Sequence, residues 1–476
     1  MIRKHIRMLV TFTGGCSVQK SNFTLKKIIS KSIIPIAFII FFGFLLITGE
    51  PKYLGDTFQH EYQFITREPV YALIIQFLRF ISPKNHYELI IILQNILAVV
   101  ANTVFLSFLR KSFSLNWILT ALSGLIILIP HIITPLASAS HMVITNSLLS
   151  EGIAYSLYLF FVMEILKMVW SREITGKSSI AALLWALLLS LVRGQFMVLI
   201  LVWFIAAAII AIMNKDIKKL VLFTVILAVT FAGRGLLVKT YNYCEQGLFV
   251  STASGKAMSV ANVIYVADRE DGEKIEDEGL RELFYDIYDA AYSDGMNYKF
   301  SPKGLMERAK HHEACHDSLN FDYFTVRAKD YISETRGIYV EDYQRMMVEV
   351  DKVASELMGE LIPKLLPRYI VNYVCIASLG LVRSVAVENP ILNIYAVIIY
   401  IIAIALTIVV WFKNRESKAA PFMALTLLTI AGTVAGTSMM IQCISRYVLY
   451  NLPLFYLAGL FLLIELYAVC TEGRNK

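Results

Sequence analysis

Long apolar runs alternate along this chain with short polar breaks, most of them basic. Ile33–Thr48, Leu89–Leu109, Phe196–Met213 and Ile391–Phe412 are the clearest runs, each near the roughly 20 residues that cross a bilayer as a helix. Taken with their flanks, the runs predict ten membrane-spanning helices, over 28–48, 89–109, 115–133, 147–169, 179–192, 195–213, 220–237, 391–412, 420–441 and 447–468. Two weaker patterns sit between them. Pro69 starts an apolar helical stretch to Phe80 that is too short to span and is expected along the interface. Val340–Leu361 places Met347, Val350, Val353, Leu357 and Leu361 at three- and four-residue spacing, which predicts a helix with one apolar face.

The basic residues give this pattern an orientation. Arg3, Lys4, Arg7, Lys20, Lys26, Lys27 and Lys31 precede or enter the first run, and no acidic residue occurs before Glu50. A basic flank of this kind is retained in the cytoplasm. The n-region is long and no small-residue cleavage site follows, so the first run reads as an uncleaved span. The even-numbered spans then deliver Arg110 and Lys111, Lys167 with Arg172 and Lys177, Lys215 with Lys218 and Lys219, and Lys413 with Arg415 and Lys418 to that same side. Counting residues 369–387 as a further crossing would put Lys413 and Arg415 outside. Pro363, Pro367, Arg368 and Arg383 suit an interfacial helix there instead.

The organisation expected is a basic cytoplasmic segment (1–27), a transmembrane module (28–238) with a first outer loop (49–88), a large outer loop (239–390), and C-terminal spans (391–476). The large loop holds most of the acidic residues, and Asp268–Glu282 within it reads as a solvated acidic surface or mobile loop. Both termini are expected in the cytoplasm.

Composition agrees: 57% of the 476 residues are hydrophobic and only 17% charged, against about 25% charged in soluble domains. Soluble enzymes, disulfide scaffolds, disordered chains and nucleic-acid-binding modules are excluded, and the bilayer is the first partner. Six scattered cysteines show no framework spacing; a Cys244–Cys315 disulfide is one pairing open to the loop in an oxidising compartment.

Candidate chemistry gathers at the outer ends of the spans. Asp56 follows the first span in Gly55-Asp56-Thr57-Phe58-Gln59-His60-Glu61-Tyr62, and Arg67-Glu68-Pro69-Val70-Tyr71 comes soon after. Glu151 opens span four, Arg193 lies in the tight turn between spans five and six, and Ser445-Arg446-Tyr447 opens the last span. Charged side chains at helix ends facing one compartment are costly unless paired or functional. A bland reading stands beside each: Asp56 or Glu151 as a helix-start carboxylate, Arg193 and Arg446 as headgroup-seeking cations.

Asp56, Arg67-Glu68-Pro69-Val70-Tyr71-Ala72-Leu73-Ile74 and Gln94-Asn95-Ile96-Leu97 together resemble the first outer loop of the GT-C membrane glycosyltransferases. The likeness is closest to the protein-mannosyltransferase and aminoarabinose-transferase branch and its bacterial relatives. It covers about 50 residues and elsewhere agrees in layout. It implies an all-α bundle of about ten transmembrane helices with juxtamembrane helices, in a bacterial plasma membrane. The implied activity moves a sugar from a polyprenyl-phosphate donor to a glycan, lipid or protein acceptor at the outer face. On that scheme Asp56 is the general base, and Glu151, His60 and Glu61 position the acceptor or a metal. Arg193, Arg446 and Tyr447 receive the donor phosphate, and Arg67, Pro69 and Tyr71 form the juxtamembrane motif. A divalent metal is left open, although Asp56 lacks the adjacent acidic partner of a metal-binding pair, its neighbour being Thr57.

Other readings compete. His312-Glu313-Ala314-Cys315-His316 matches H-E-x-x-H, which on a helix puts His312 and His316 on one face with Glu313 as the base of a zinc protease. Lys310 and Asp317 flank it within a polar loop, which favours a solvated helix. A polysaccharide polymerase or ligase shares the multi-span layout with a large outer loop. A transporter or flippase would place ionisable residues at mid-span or show inverted repeats, and neither is evident here.

Overall fold

The computed structural model describes residues 16–137, 142–253 and 255–472; the basic segment expected over 1–27 lies largely outside them. Helices account for nearly all of this, and the described residues form no β-strand, only an isolated bridge between Lys52 and Ser147. The α-helices are α1 (Cys16–Thr48), α2 (Gly55–Glu61), α3 (Pro69–Ile81), α4 (His86–Ser112), α5 (Trp117–Ala137), α6 (Glu151–Ser171), α7 (Lys177–Val192), α8 (Met197–Met213) and α9 (Ile217–Gln246). There follow α10 (Gly255–Val266), α11 (Glu278–Ser293), α12 (Leu305–Ser318), α13 (Val326–Arg336), α14 (Tyr343–Arg383), α15 (Pro390–Lys413), α16 (Ala419–Met440), α17 (Ser445–Val448) and α18 (Leu452–Glu472). Among the described residues, nine helices are long and apolar enough to cross a membrane, with shorter apolar stretches at Ser32–Thr48, α3 and α7. The protein is a multi-pass integral membrane protein.

Nine of the ten predicted spans fall largely on one helix each, and the tenth, 447–468, runs from the end of α17 through a 3₁₀ turn into α18, but the large loop differs from expectation. The stretches expected over 340–361 and 369–387 do not form separate helices; residues 343–361 and 369–383 both belong to α14, which runs through Pro363 and Pro367 and is one of the nine long apolar helices. Both of its ends nonetheless meet the loops that carry Asp56 and Arg446. Gln344 Oε1 accepts from the Ile65 amide at 2.9 Å, and Arg383 donates to the Cys443 carbonyl at 3.1 Å. The acidic patch also departs from a freely solvated surface. Arg269–Lys274 is a 3₁₀ turn in which Asp271 is buried and takes Arg368 at 2.5 Å.

Two large apolar cores result among the described residues, beside two small clusters. The larger lies among α1, α4–α8, α15, α16 and α18, where Ala154, Ala182 and Ala186 have almost no exposed surface. Lipid offers no hydrophobic drive between spans, so close backbone approach at small residues holds such helices together. The smaller core joins α10, α11, α13 and the first half of α14 around Phe284, Phe324 and Leu357. In water each such side chain stabilises by about 1.5–3 kcal/mol. α9 stands at the periphery: few of its residues are buried, and Val221, Val225 and Val229 are exposed. The apolar stretch from Pro69 forms α3, with Tyr71 and Ile75 buried and Phe77 and Phe80 exposed.

The contact that fixes the site lies between α4 and the segment before α6. Gln94 Nε2 donates to the carbonyls of Thr145 and Ser147, both at 3.0 Å, and Gln94 Oε1 accepts from Tyr71 Oη at 3.2 Å. Gly152 lies against this carboxamide so closely that a Cβ there would stand 2.4 Å from the Gln94 Cδ. Gly152→Ala is therefore expected to expel Gln94 and lower stability by about 1–3 kcal/mol. A thermal-unfolding curve in detergent reads the shift; an unchanged midpoint would refute the packing argument.

Candidate functional site

The first loop and the segment before α6 are zipped together by backbone. Lys52 N donates to Asn146 O at 2.9 Å, and Leu148 N donates back to Lys52 O at 3.0 Å. Thr57 adds to this, accepting from the Leu54 amide and donating to Leu148 O at 2.9 Å. Asn146 in turn donates to Leu45 O at the end of α1. These bonds bring Asp56, in the first turn of α2, beside Glu151, in the first turn of α6. Helix N-termini favour both carboxylates.

Three arginines close on them. Arg67 reaches Asp56 Oδ1 at 2.7 Å, held from behind by Gln59 Oε1 at 2.8 Å. Arg446 lies between the carboxylates, 3.4 Å from Asp56 Oδ2 and 3.8 Å from Glu151 Oε1. Arg193 contacts Glu151 at 2.5 Å. The Tyr447 ring backs the two arginines that flank Glu151, 5.3 Å from the Arg193 guanidinium and 5.2 Å from that of Arg446. Gln195 ties the turn to α17 through the Tyr447 carbonyl at 3.3 Å. Residues from four separate segments thus form one line of charge, Arg67–Asp56–Arg446–Glu151–Arg193.

That line borders a cavity of about 920 Å³, within the roughly 300–1,000 Å³ range of ligand pockets. Asp56, Glu151 and Arg446 line one wall; Ile129 and Ile133 of α5, Leu392 of α15 and Leu452 of α18 supply apolar surface. The same cavity is lined by a second ionic group. Arg383, nearly buried, contacts Glu313 at 2.8 Å and also pairs with Glu388, to which Lys310 adds a contact at 3.5 Å.

Burial raises the Asp56 carboxyl, but Arg67 and Arg446 outweigh it and hold the group below the usual carboxylate range. His60, beneath the site, lies against the Tyr71 ring at 5.0 Å. Its own burial, reinforced by Arg67, lowers its pKa to about 3, so the ring stays neutral.

Of the residues singled out from the sequence, Asp56, Arg67, Glu151, Arg193, Arg446 and Tyr447 converge here, while Tyr71 supports Gln94 and Pro69 begins α3. Glu61 is not brought to the cluster: it faces Arg79, Tyr53 and Tyr87 on the far side of α2. The H-E-x-x-H residues lie on α12. His312 packs on Tyr265 and contacts Asn262 at 2.8 Å, His316 meets Asp317, and Glu313 turns away to Arg383. Among the described residues no three His, Cys, Asp or Glu side chains are grouped to hold a metal ion. Asp56 and Glu151 are each engaged by arginines, a donor set that does not fit a divalent cation. Cys244 and Cys315 are free thiols, the first exposed and the second buried, so they are not paired.

Three participants escaped sequence reasoning. Arg383 and Glu388 sit in the cavity wall. Arg234, on α9, pairs with Glu68 at 2.6 Å and donates to Ser190 O at 3.2 Å, bracing the turn that carries Arg193. A Cβ on Gly194 would stand 3.0 Å from the same Glu68 carboxylate. An arginine inside a predicted span was the available signal.

Comparison with family models, with curated proteins and with solved structures returns no match for the chain.

Removing one partner of a buried ion pair costs about 3–5 kcal/mol because the other is left uncompensated. Glu151→Gln or Arg193→Met alone should therefore destabilise strongly, and the double variant should recover part of the loss in a thermal-unfolding cycle. Strictly additive losses would exclude coupling. His60 gives a pH signature. Its folded pKa lies below that of the unfolded chain, near 6.5, so only the unfolded chain takes up the proton in mild acid. Stability should be full above pH 6.5 and decline as pH falls below it. Denaturant midpoints measured between pH 7 and pH 4.5 should flatten in His60→Asn; an unaltered slope would remove His60 as the cause.

Proposed function

We propose that the protein is a polytopic glycosyltransferase of GT-C type, transferring a sugar from a polyprenyl-phosphate donor to a hydroxyl acceptor at the extracytoplasmic face of a bacterial plasma membrane. The observation that carries this reading is the convergence of Asp56, Glu151 and Arg446, with Arg193 paired to Glu151, on a cavity with apolar walls. Two carboxylates there face three guanidinium groups, leaving one formal positive charge for an anionic ligand. The second group balances itself: Arg383 and Lys310 against Glu313 and Glu388.

The chemistry follows from these positions. A lipid-linked sugar leaves a phosphate as its anomeric bond breaks, and charge grows on the departing oxygen. Arg446, with Arg193 beside it, supplies fixed donors for that charge in a partly dry site, where they act more strongly than in water. The apolar cavity wall suits the prenyl chain. Asp56 stays ionised and accepts a hydrogen bond from the acceptor hydroxyl. A carboxylate held so acidic is a weak base, so it takes the proton late, once the sugar carries oxocarbenium character and the hydroxyl has become acidic. Glu151 keeps Arg446 and Arg193 in register. No metal enters this scheme.

The transporter reading fits less well, since the ionic groups gather at one end of the helices instead of lining a path through them. Transfer of radiolabelled sugar from polyprenyl-phosphate donors, assayed in membranes containing the full chain, tests the proposal. Asp56→Asn should lower transfer by about a hundredfold or more, while Glu61→Gln and Glu313→Gln keep at least a substantial part of it. Transfer that survives Asp56→Asn, or fails with every donor offered, would overturn the assignment.

A further inference from the structure

At the opposite ends of the same helices lies a second recess that the proposed chemistry does not use. It has a volume of about 720 Å³ and opens between the last turns of α6, α8 and α15 and the first turns of α16. This again falls within the roughly 300–1,000 Å³ range of ligand pockets. Its floor is apolar, with Ile209 and Met213 from α8, Ile408 from α15 and Leu428 from α16. Its rim carries Arg172, Arg415 and Lys418 against one carboxylate, Glu416. All three cations are exposed, and none pairs with a carboxylate among the described residues.

The rim is ordered by contacts that leave the charges available. Trp170 donates its indole N–H to the Lys418 carbonyl at 3.0 Å, and the Lys418 ammonium stands 5.8 Å from the Trp170 ring. That ammonium spends one of its three donors on the Ser112 carbonyl at 3.1 Å. Arg415 lies over the Phe412 ring at 4.8 Å. Glu465 already satisfies the start of α16, accepting from the amides of Lys418 and Ala419 at 3.1 and 3.2 Å. The free capacity of the rim therefore lies in its side-chain cations, not in the helix terminus. Arg172 reaches it from the left-handed residue that ends α6.

We propose that this recess is a binding site for one anionic glycerophospholipid of the leaflet opposite the candidate active site. Its phosphate is held by Arg172, Arg415 and Lys418, and its acyl chains lie against α8, α15 and α16. Charge selects the occupant. A zwitterionic lipid brings its own cation to a rim that already has a surplus of two positive charges. An anionic lipid neutralises that surplus, with Trp170 and Trp411 at headgroup depth.

Native mass spectrometry of the full chain in detergent, titrated with phosphatidylglycerol or phosphatidylcholine, tests this. The wild type should retain one phosphatidylglycerol at least about tenfold more tightly than phosphatidylcholine. The triple variant Arg172→Gln, Arg415→Gln, Lys418→Gln should lose the preference. Ala424→Trp, which fills the recess and keeps every charge, should lose the bound lipid. A control variant with Lys111→Gln, Lys215→Gln and Lys218→Gln removes as much charge outside the recess and should behave as wild type. Equal retention of both lipids, loss in the control, or retention in Ala424→Trp would overturn the proposal. So would tighter binding of polyprenyl phosphate than of phosphatidylglycerol, which would give the recess to the donor lipid.

Discussion

Glu151 and Arg193 cannot both stay where they are without each other. The Glu151 side chain is 5% exposed and that of Arg193 15%, so neither keeps its hydration, and desolvating an ion costs several kcal/mol. The pair is stable because it does not end there: Arg446 continues it to Asp56, and Arg67 closes it. This constraint dictates the arrangement around it. The first loop must be pinned to the segment before α6, which the Lys52–Ser147 bridge and Thr57 accomplish. The α7–α8 turn must be held against α17, which Gln195 and the Tyr447 ring accomplish. Much of the polar bonding at this end of the bundle serves to place five charged groups on one line.

Polar side chains inside the bundle serve the same purpose from below. Gln94 uses its carboxamide on two carbonyls and a tyrosine hydroxyl, and Asn95 reinforces it through Asn146 at 3.0 Å. Deeper, Asn451 accepts from Tyr158 at 2.5 Å and Thr429 at 3.0 Å, joining α6, α16 and the start of α18. Within lipid such groups have no water to turn to, and this ties helix register to the placement of loops.

The spans were legible because twenty apolar residues in a row have few alternatives, and short polar breaks separate them. Asp56, Glu151, Arg193 and Arg446 were legible for a related reason: charge beside apolar sequence is expensive, so its position carries information. Proximity was not legible. Nothing in the spacing of Glu61 distinguishes it from His60, yet α2 turns one toward Arg79 and the other under the site. The histidines of α12 match a metal-binding spacing, but their surroundings, Asn262 and Tyr265, are set by α10 through contacts that no local pattern encodes. Residues 343–383 form one helix because two prolines, each a usual place to stop, are spanned by packing on α10 and α16.

The line of charge also has an order in time. A chain emerges from the ribosome N-terminus first, so Glu151 and Arg193 enter the membrane as near neighbours and can neutralise each other early. Asp56 waits with Arg67. Arg446, the link between the two halves, arrives with the α16–α18 hairpin, after the large loop has been made. Until then the cavity lacks α15, α17 and α18, three of the elements that wall it. The five charged groups thus come together only once α17 is in place, and the first half of the chain alone cannot set an arginine between Asp56 and Glu151.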